Sequence, residues 1–114
     1  MHELGIVKHV ISLVLETVEE NNLTNVGSVV LRVGKVSGIV PSYLIDCWDW
    51  AVKKEKYITN SELIIEDIDA ITYCEDCQKT YDTIEYGKKC PNCGSENTYL
   101  KTGDECYILQ IEAE

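Results

Sequence analysis

Leu4, Val7, Ile11, Val14 and Val18 return at steps of three and four residues, the spacing that lines one face of a helix, while Lys8, Ser12, Glu16, Glu19 and Glu20 take the opposite side. The pattern predicts a helix that starts close to residue 3 and ends at the loop sequence NNLTN. An alternating stretch follows, with Val29, Leu31 and Val33 set against Ser28, Val30 and Arg32, which predicts a half-buried strand. Pro41 suits the first turn of a second helix, whose apolar stripe reads Leu44, Cys47, Trp48 and Ala51 before the charged run KKEK. SELIIEDIDA reads as a second strand and ECYILQIEA as a third, with Tyr107, Leu109 and Ile111 expected on one face.

Residues 71–103 break this rhythm. They hold four cysteines, four tyrosines, turn residues and few aliphatics. They are read as an insert between two strands that could neighbour each other in one sheet. Residues 1–70 and 104–114 then form an α+β domain of their own, with 71–103 as a metal-binding insert. The insert carries a net charge of −1 and the remainder −9.

The overall balance narrows the partners. A net charge of −10 opposes nucleic acid and anionic membrane, both of which demand clustered Lys and Arg. The N-terminal region is apolar but is interrupted by Lys8, His9 and Glu16, so it does not read as a secretory signal. No uninterrupted apolar run reaches the roughly 18 residues of a membrane span. The expected location is the cytoplasm. With 114 residues, 45% of them hydrophobic, the chain can build one core despite having no Phe.

The insert's cysteines form two knuckles, Cys74-x2-Cys77 and Cys90-x2-Cys93, separated by twelve residues. Four thiolates match the tetrahedral preference of zinc, and Gly94 permits the tight backbone after a knuckle. Disulfides fit poorly, because the cytoplasm is reducing and cysteines two apart are poor partners outside redox folds. An insert with few aliphatics cannot offset an ordering cost of about 1–2 kcal/mol per residue by burial alone, whereas a structural zinc supplies roughly 10–16 kcal/mol in small peptides. Four protein ligands leave no open position, so the metal is structural and not a catalytic Lewis acid. Iron is the rival ion, since ligand type cannot separate the two; the absence of a larger aromatic core favours zinc. Cys47 and Cys106 stand apart and are expected to be small buried hydrophobes.

The first residues, MHELGIV, place one of two histidines beside the terminal amine. The amine of Met1, the amide of His2 and the imidazole of His2 can close a five- and then a six-membered chelate ring, and the Glu3 amide can add a nitrogen. Nickel(II) and copper(II) favour tetragonal nitrogen sites of this kind. His2 is bulky enough that the initiator Met1 is expected to be retained. His9 reads as a surface histidine.

Taken together and in order, MHELGIV, GKVSGIVPSYL, the paired knuckles ending CPNCGS, and GDECYILQIE resemble the HypA/HybF family of hydrogenase-maturation nickel chaperones. The resemblance covers essentially the whole chain. It implies nickel bound at His2 with the adjoining backbone nitrogens, Met1 and Glu3, and structural zinc at Cys74, Cys77, Cys90 and Cys93. It implies two helices packed on a three-stranded sheet, with an inserted zinc-ribbon-like domain. It also implies transfer of nickel to the large subunit of a NiFe-hydrogenase alongside a GTPase accessory protein, and in some members service to urease maturation. The chain is then not an enzyme: it lacks a phosphate loop, and both histidines are N-terminal. The competing functions are a zinc-ribbon protein-interaction adaptor and an iron-bearing electron carrier. Since no histidine lies near the knuckles, coupling between the two metal sites would have to run through packing or backbone.

Overall fold

The structure, a computed structural model, describes residues 3–114. The chain runs α1 (Glu3–Glu20), β1 (Val26–Gly34), α2 (Pro41–Ala51), a single 3-10 turn (Val52–Lys54), β2 (Glu62–Ile68), β3 (Ile71–Cys74), β4 (Thr80–Asp82), the one-turn helix α3 (Thr83–Tyr86), β5 (Thr98–Thr102) and β6 (Cys106–Ala113). The strands form two three-stranded sheets, β2–β1–β6 and β4–β3–β5. The molecule is elongated, 55 × 25 × 16 Å.

Helix α1 begins where its apolar spacing says it should, and its buried stripe is wider than the one-residue-wide seam of the sequence pattern. Ile6, Val7, Val10, Ile11, Val14 and Val18 are all buried, while Leu4 is half-buried. These side chains join Leu44 and Trp48 of α2 and Val29, Leu31, Val33 and Leu63 of the first sheet in one core. Trp48 is fully buried and its Nε1 donates to the Ser61 carbonyl at 3.3 Å, so the indole fills the core without leaving an orphaned donor. Cys47 and Ala51 of the same stripe are only half-buried, at the edge of the packing.

Several expectations are corrected. The strands on either side of the insert do not pair: β1 lies between them, parallel to β2 and antiparallel to β6. A central β1 explains why Ser28 and Val30, expected on the solvent side, are buried as well. The apolar alternation of β6 also fails, for a local reason. Val30 pairs with Gln110 but Leu31 with Ile108, so Leu109 has no opposite residue, which is a β-bulge. The bulge resets the pleat: Ile108 and Ile111 pack on the core, while Tyr107 and Leu109 are exposed. Finally, Cys106, expected inside, is exposed because β6 is an edge strand.

The two sheets are joined by a crossing of bare backbone. The chain leaves the first sheet through Asp69 and Ala70 and returns through Gly103 and Asp104, and both passages press on the segment after β1. Gly34 N–H donates to the Glu105 carbonyl at 2.7 Å, Lys35 N–H to Ile68 at 3.0 Å and Val36 N–H to Gly103 at 2.9 Å. The Lys35 ammonium meets the Asp69 carboxylate at 2.9 Å, and the Thr102 hydroxyl donates to the Asp69 carbonyl at 2.9 Å. A Cβ at Gly34 would fall 1.9 Å from the Gly103 carbonyl oxygen; one at Gly103, where φ is +120°, would fall 2.6 Å from the Ala70 Cα.

Gly34→Ala and Gly103→Ala should therefore each lower the urea midpoint, with a loss of at least about 1–3 kcal/mol, because the obstructing atoms are backbone and cannot rotate away. Gly5→Ala is the control. Its Cβ would meet nothing within 4 Å, so it should leave stability unchanged or raise it by about 0.5–1 kcal/mol, the helical advantage of Ala over Gly.

Candidate metal centre

Each knuckle is built the same way. Cys74 starts a turn in which Gln78 N–H donates to the Cys74 carbonyl at 2.9 Å and Cys74 N–H donates to Lys79 at 2.9 Å; in the second, Gly94 N–H donates to Cys90 at 2.9 Å and Cys90 N–H to Ser95 at 2.9 Å. The residue after each second cysteine must take positive φ, +60° at Gln78 and +75° at Gly94. Strand β3 delivers Cys74, and the chain after α3 delivers Cys90 beside it.

These turns bring all four sulphurs within 4.8 Å of one another. Cys74 Sγ lies 3.6 Å from Cys93 Sγ, and Cys77 Sγ 3.6 Å from Cys90 Sγ. Both distances are far beyond the ~2.05 Å of a disulfide and close to the ~3.8 Å edge of a tetrahedron with 2.3 Å metal–sulphur bonds. The donor set and its spacing fit a tetrahedral thiophilic ion. Among the described residues it is also the one grouping of three or more His, Cys, Asp or Glu side chains placed to hold a metal.

The sulphurs are not electrostatically equal. Desolvation opposes ionisation of Cys90, but the amides of Cys93 and Asn92 together with the Cys77 and Cys93 thiols outweigh it and pull the thiol down to about 7. The Ser95 amide favours a Cys93 thiolate, yet the sulphurs of Cys74, Cys90 and Cys77, together with desolvation, push it up to about 12. A thiolate at Cys90 is favoured by its neighbouring thiols, while the same contacts disfavour a thiolate at Cys93; a bound cation would favour thiolates throughout the group. Cys74 and Cys90 are buried, Cys77 half-buried and Cys93 exposed.

The surroundings stiffen the site. Tyr81 is buried against the cysteines and donates its hydroxyl to the Gly87 carbonyl at 2.8 Å. Asp82 caps α3 by accepting the Ile84 N–H at 3.0 Å. The Asp76 carboxylate, inside the first knuckle, accepts the Ser95 hydroxyl and, at 3.3 Å, the Asn97 side-chain amide. None of Gln78, Asp76, Ser95 and Asn97 was singled out from the sequence. Gln78 was detectable in principle, since it occupies the slot that Gly94 fills in the other knuckle.

At the other end of the molecule, Met1 and His2 lie outside the described residues. Glu3 opens α1, and its Oε2 accepts the Val40 N–H at 3.2 Å. Val40 is the N-cap residue of α2 and supplies no side-chain cap of its own, so the carboxylate of one helix satisfies an orphan amide of the other. His9 is exposed, as expected, on the rim of a groove of about 760 Å³ between α1 and β6, together with Asp104, Cys106 and Tyr107.

An α+β body carrying a closed four-sulphur centre defines a protein built to bind a metal ion. The chain belongs to the HypA family, described as hydrogenase/urease nickel incorporation, metallochaperone, whose match runs over residues 1–113. A hydrogenase maturation factor HypA from Rhizobium leguminosarum bv. viciae is 37% identical over 112 residues, 98% of each chain. One from Aquifex aeolicus (strain VF5) is 32% identical over 114 residues, all of this chain and 98% of the relative. The fold is shared with a solution structure of a HypA protein (TM-score 0.77, 25% identity, 100% and 97% coverage) and with that of the Ni metallochaperone HypA from Helicobacter pylori (TM-score 0.72, 24% identity, 99% and 97% coverage). Among the described residues no helix is long and apolar enough to cross a membrane.

The unequal knuckles give a direct test. Gln78→Gly should stabilise the metal-loaded protein by up to about 1 kcal/mol, since left-handed backbone costs a side chain roughly 1–2 kcal/mol and Gly returns part of that as entropy. Gly94→Ala should do the reverse. Thermal unfolding of the metal-loaded forms measures both, and a Gln78→Gly variant less stable than the native chain contradicts the backbone argument.

Proposed function

We propose that this chain captures Ni(II) at its amino terminus and delivers it to the large subunit of a NiFe-hydrogenase, working with a nickel-insertion GTPase accessory protein in the cytoplasm. Urease maturation proteins are a second destination of the same chemistry. The cargo is held by the Met1 amine, the neighbouring backbone nitrogens and the His2 imidazole, with Glu3 adjoining. Cys74, Cys77, Cys90 and Cys93 hold a structural zinc ion. Residues 1–70 and 104–114 handle nickel, and residues 71–103 are the zinc-binding insert.

The match to a nickel-incorporation family from residue 1 to residue 113 carries this reading. Chemistry supports it. A terminal site of few ligands releases metal as readily as it captures it, which suits transfer by ligand exchange, whereas four thiolates in a closed shell suit permanent residence. The helix that begins at Glu3 is anchored in the core from Ile6 onward.

Purified protein should contain one zinc per chain. Cys77→Ser should lose it and raise amide exchange across residues 71–103, while β1 stays protected, because the first sheet packs in a core of its own. A zinc-free native protein with a protected insert contradicts the assignment.

For nickel, calorimetry on untagged protein separates the ligands. His2→Ala should abolish stoichiometric binding and leave zinc and fold intact, and His9→Ala should have much less effect. A short histidine-free extension before Met1 should weaken binding with every native side chain present, because it converts the amine to an amide. Affinity should fall below about pH 6, as the imidazole (reference pKa about 6.5) protonates and competes with the metal. Normal nickel binding by His2→Ala would refute the terminal site and leave the adaptor reading.

A further inference from the structure

The two knuckles are tied to each other by groups that are not metal ligands. Asp76 sits between Cys74 and Cys77, yet both of its oxygens are taken by the second knuckle's segment. One accepts the Ser95 hydroxyl, the other the Asn97 side-chain amide at 3.3 Å. The Ser95 oxygen in turn accepts the Asn97 backbone N–H at 2.9 Å. The Glu75 N–H closes the ring by donating to the Asn97 carbonyl at 3.0 Å. Ser95 also supplies the carbonyl that receives the Cys90 N–H, so the residue that engages Asp76 is the one that closes the second turn.

From this geometry we infer that Asp76, Ser95 and Asn97 form a clasp that holds the knuckles in register before metal arrives and slows the metal's departure afterwards. The inference rests on the four-thiolate reading above. Every bond of the clasp joins groups of the chain itself and forms without an ion, whereas sulphurs that become thiolates repel one another. A carboxylate next to Cys77 would by itself worsen that repulsion, and more so around a divalent ion bearing four thiolates. Two donors turn the charge to use: the Ser95 hydroxyl and the Asn97 side-chain amide draw it toward the second knuckle. Asp76 is thus a positioning residue. Deleting partners of this kind around metal sites typically costs about 10- to 100-fold in affinity.

Cobalt(II) provides the readout, because a tetrahedral thiolate set gives it visible bands whose decay in excess EDTA reports release. In the full-length chain, Asp76→Ala and Ser95→Ala should each release cobalt about tenfold faster than the native protein. The double variant should release it more slowly than the product of the two single effects, since the Asp76–Ser95 bond is lost only once while each residue also loses one bond of its own to Asn97. Asp76→Asn, which keeps one carbonyl acceptor, should fall between. In metal-free protein the Glu75 amide should exchange faster in Asp76→Ala while β1 amides do not change. A purely structural role would lower the urea midpoint and leave release of bound cobalt at the native rate. Native release in both single variants overturns the clasp and leaves the metal centre standing. Failure of the native chain to give tetrahedral cobalt bands overturns the four-thiolate reading and the clasp with it. Should Asp76→Ala not fold, Ser95→Ala decides the matter by the same measurement.

Discussion

The architecture depends on the closeness of two glycines. Gly34 ends β1 and Gly103 closes the second passage between the sheets, and their backbones touch so nearly that a methyl group at Gly34 would lie 1.9 Å from the Gly103 oxygen. This contact lets a chain that has left the first sheet build a second sheet and return to the other side of β1. Without it, β6 could not enter antiparallel to β1 directly from the joint, and the helices would lose the strand whose Ile108 and Ile111 complete their core. The hydrogen bonds from Gly34, Lys35 and Val36 lock the passages in place. Glu105 adds a bond of its own: its carboxylate accepts the Gly103 N–H at 2.6 Å, and that bond holds its pKa below the usual carboxylate range. The stabilisation from this lowered group is present above the ordinary carboxylate pKa and is lost as pH falls through the folded value.

The two ends of the molecule are stabilised by different physics. The first sheet and its helices rely on apolar burial, with fifteen buried hydrophobic residues in one cluster among the described residues. The second sheet has almost none: its buried cluster is Cys74, Cys90 and Tyr81, with Cys77 against it. Hydrogen-bonded turns, a capped single-turn helix and the tyrosine hydroxyl replace the missing core, and they leave four sulphurs facing each other. On the zinc reading proposed above, such a unit gains its one concentrated interaction only when a cation joins the four thiolates. Placing it beyond the glycine joint confines that dependence on metal to one end of the chain.

Much of this was legible in the sequence, for reasons that differ by element. Helix α1 announced itself through a period sustained over eighteen residues, and the paired knuckles through spacing that few other chemistries need. What stayed hidden was set by partners distant in sequence. That β1 is central, and so buried on both faces, follows from pairing with strands some thirty and eighty residues away. The bulge at Leu109 is a mismatch between two strands, so no pattern within β6 can reveal it, and with it went the expected face of Tyr107 and Leu109. Cys106 looked like a core residue because its neighbours are apolar; its exposure comes from lying on the sheet's edge. The Glu3 bond to Val40 was equally invisible, since a glutamate in a first helical turn is ordinary and its acceptor role depends on a second helix.

That last bond has a geometric consequence for how the parts are connected. The segment from Gly34 to Val40 is held at its start by the joint, through Gly34, Lys35 and Val36, and at its end by the Glu3 carboxylate. The first turn of α1 and the passages leading to the four-sulphur sheet are therefore attached to the same seven residues. Ser37 tightens the segment further: its N–H donates to the Gly34 carbonyl at 3.1 Å and its hydroxyl oxygen accepts the Ile39 N–H at 3.3 Å. The loop is thus held at both ends and braced within by hydrogen bonds. Backbone amides make that connection: those of Gly34, Lys35 and Val36 at one end of the segment and that of Val40 at the other.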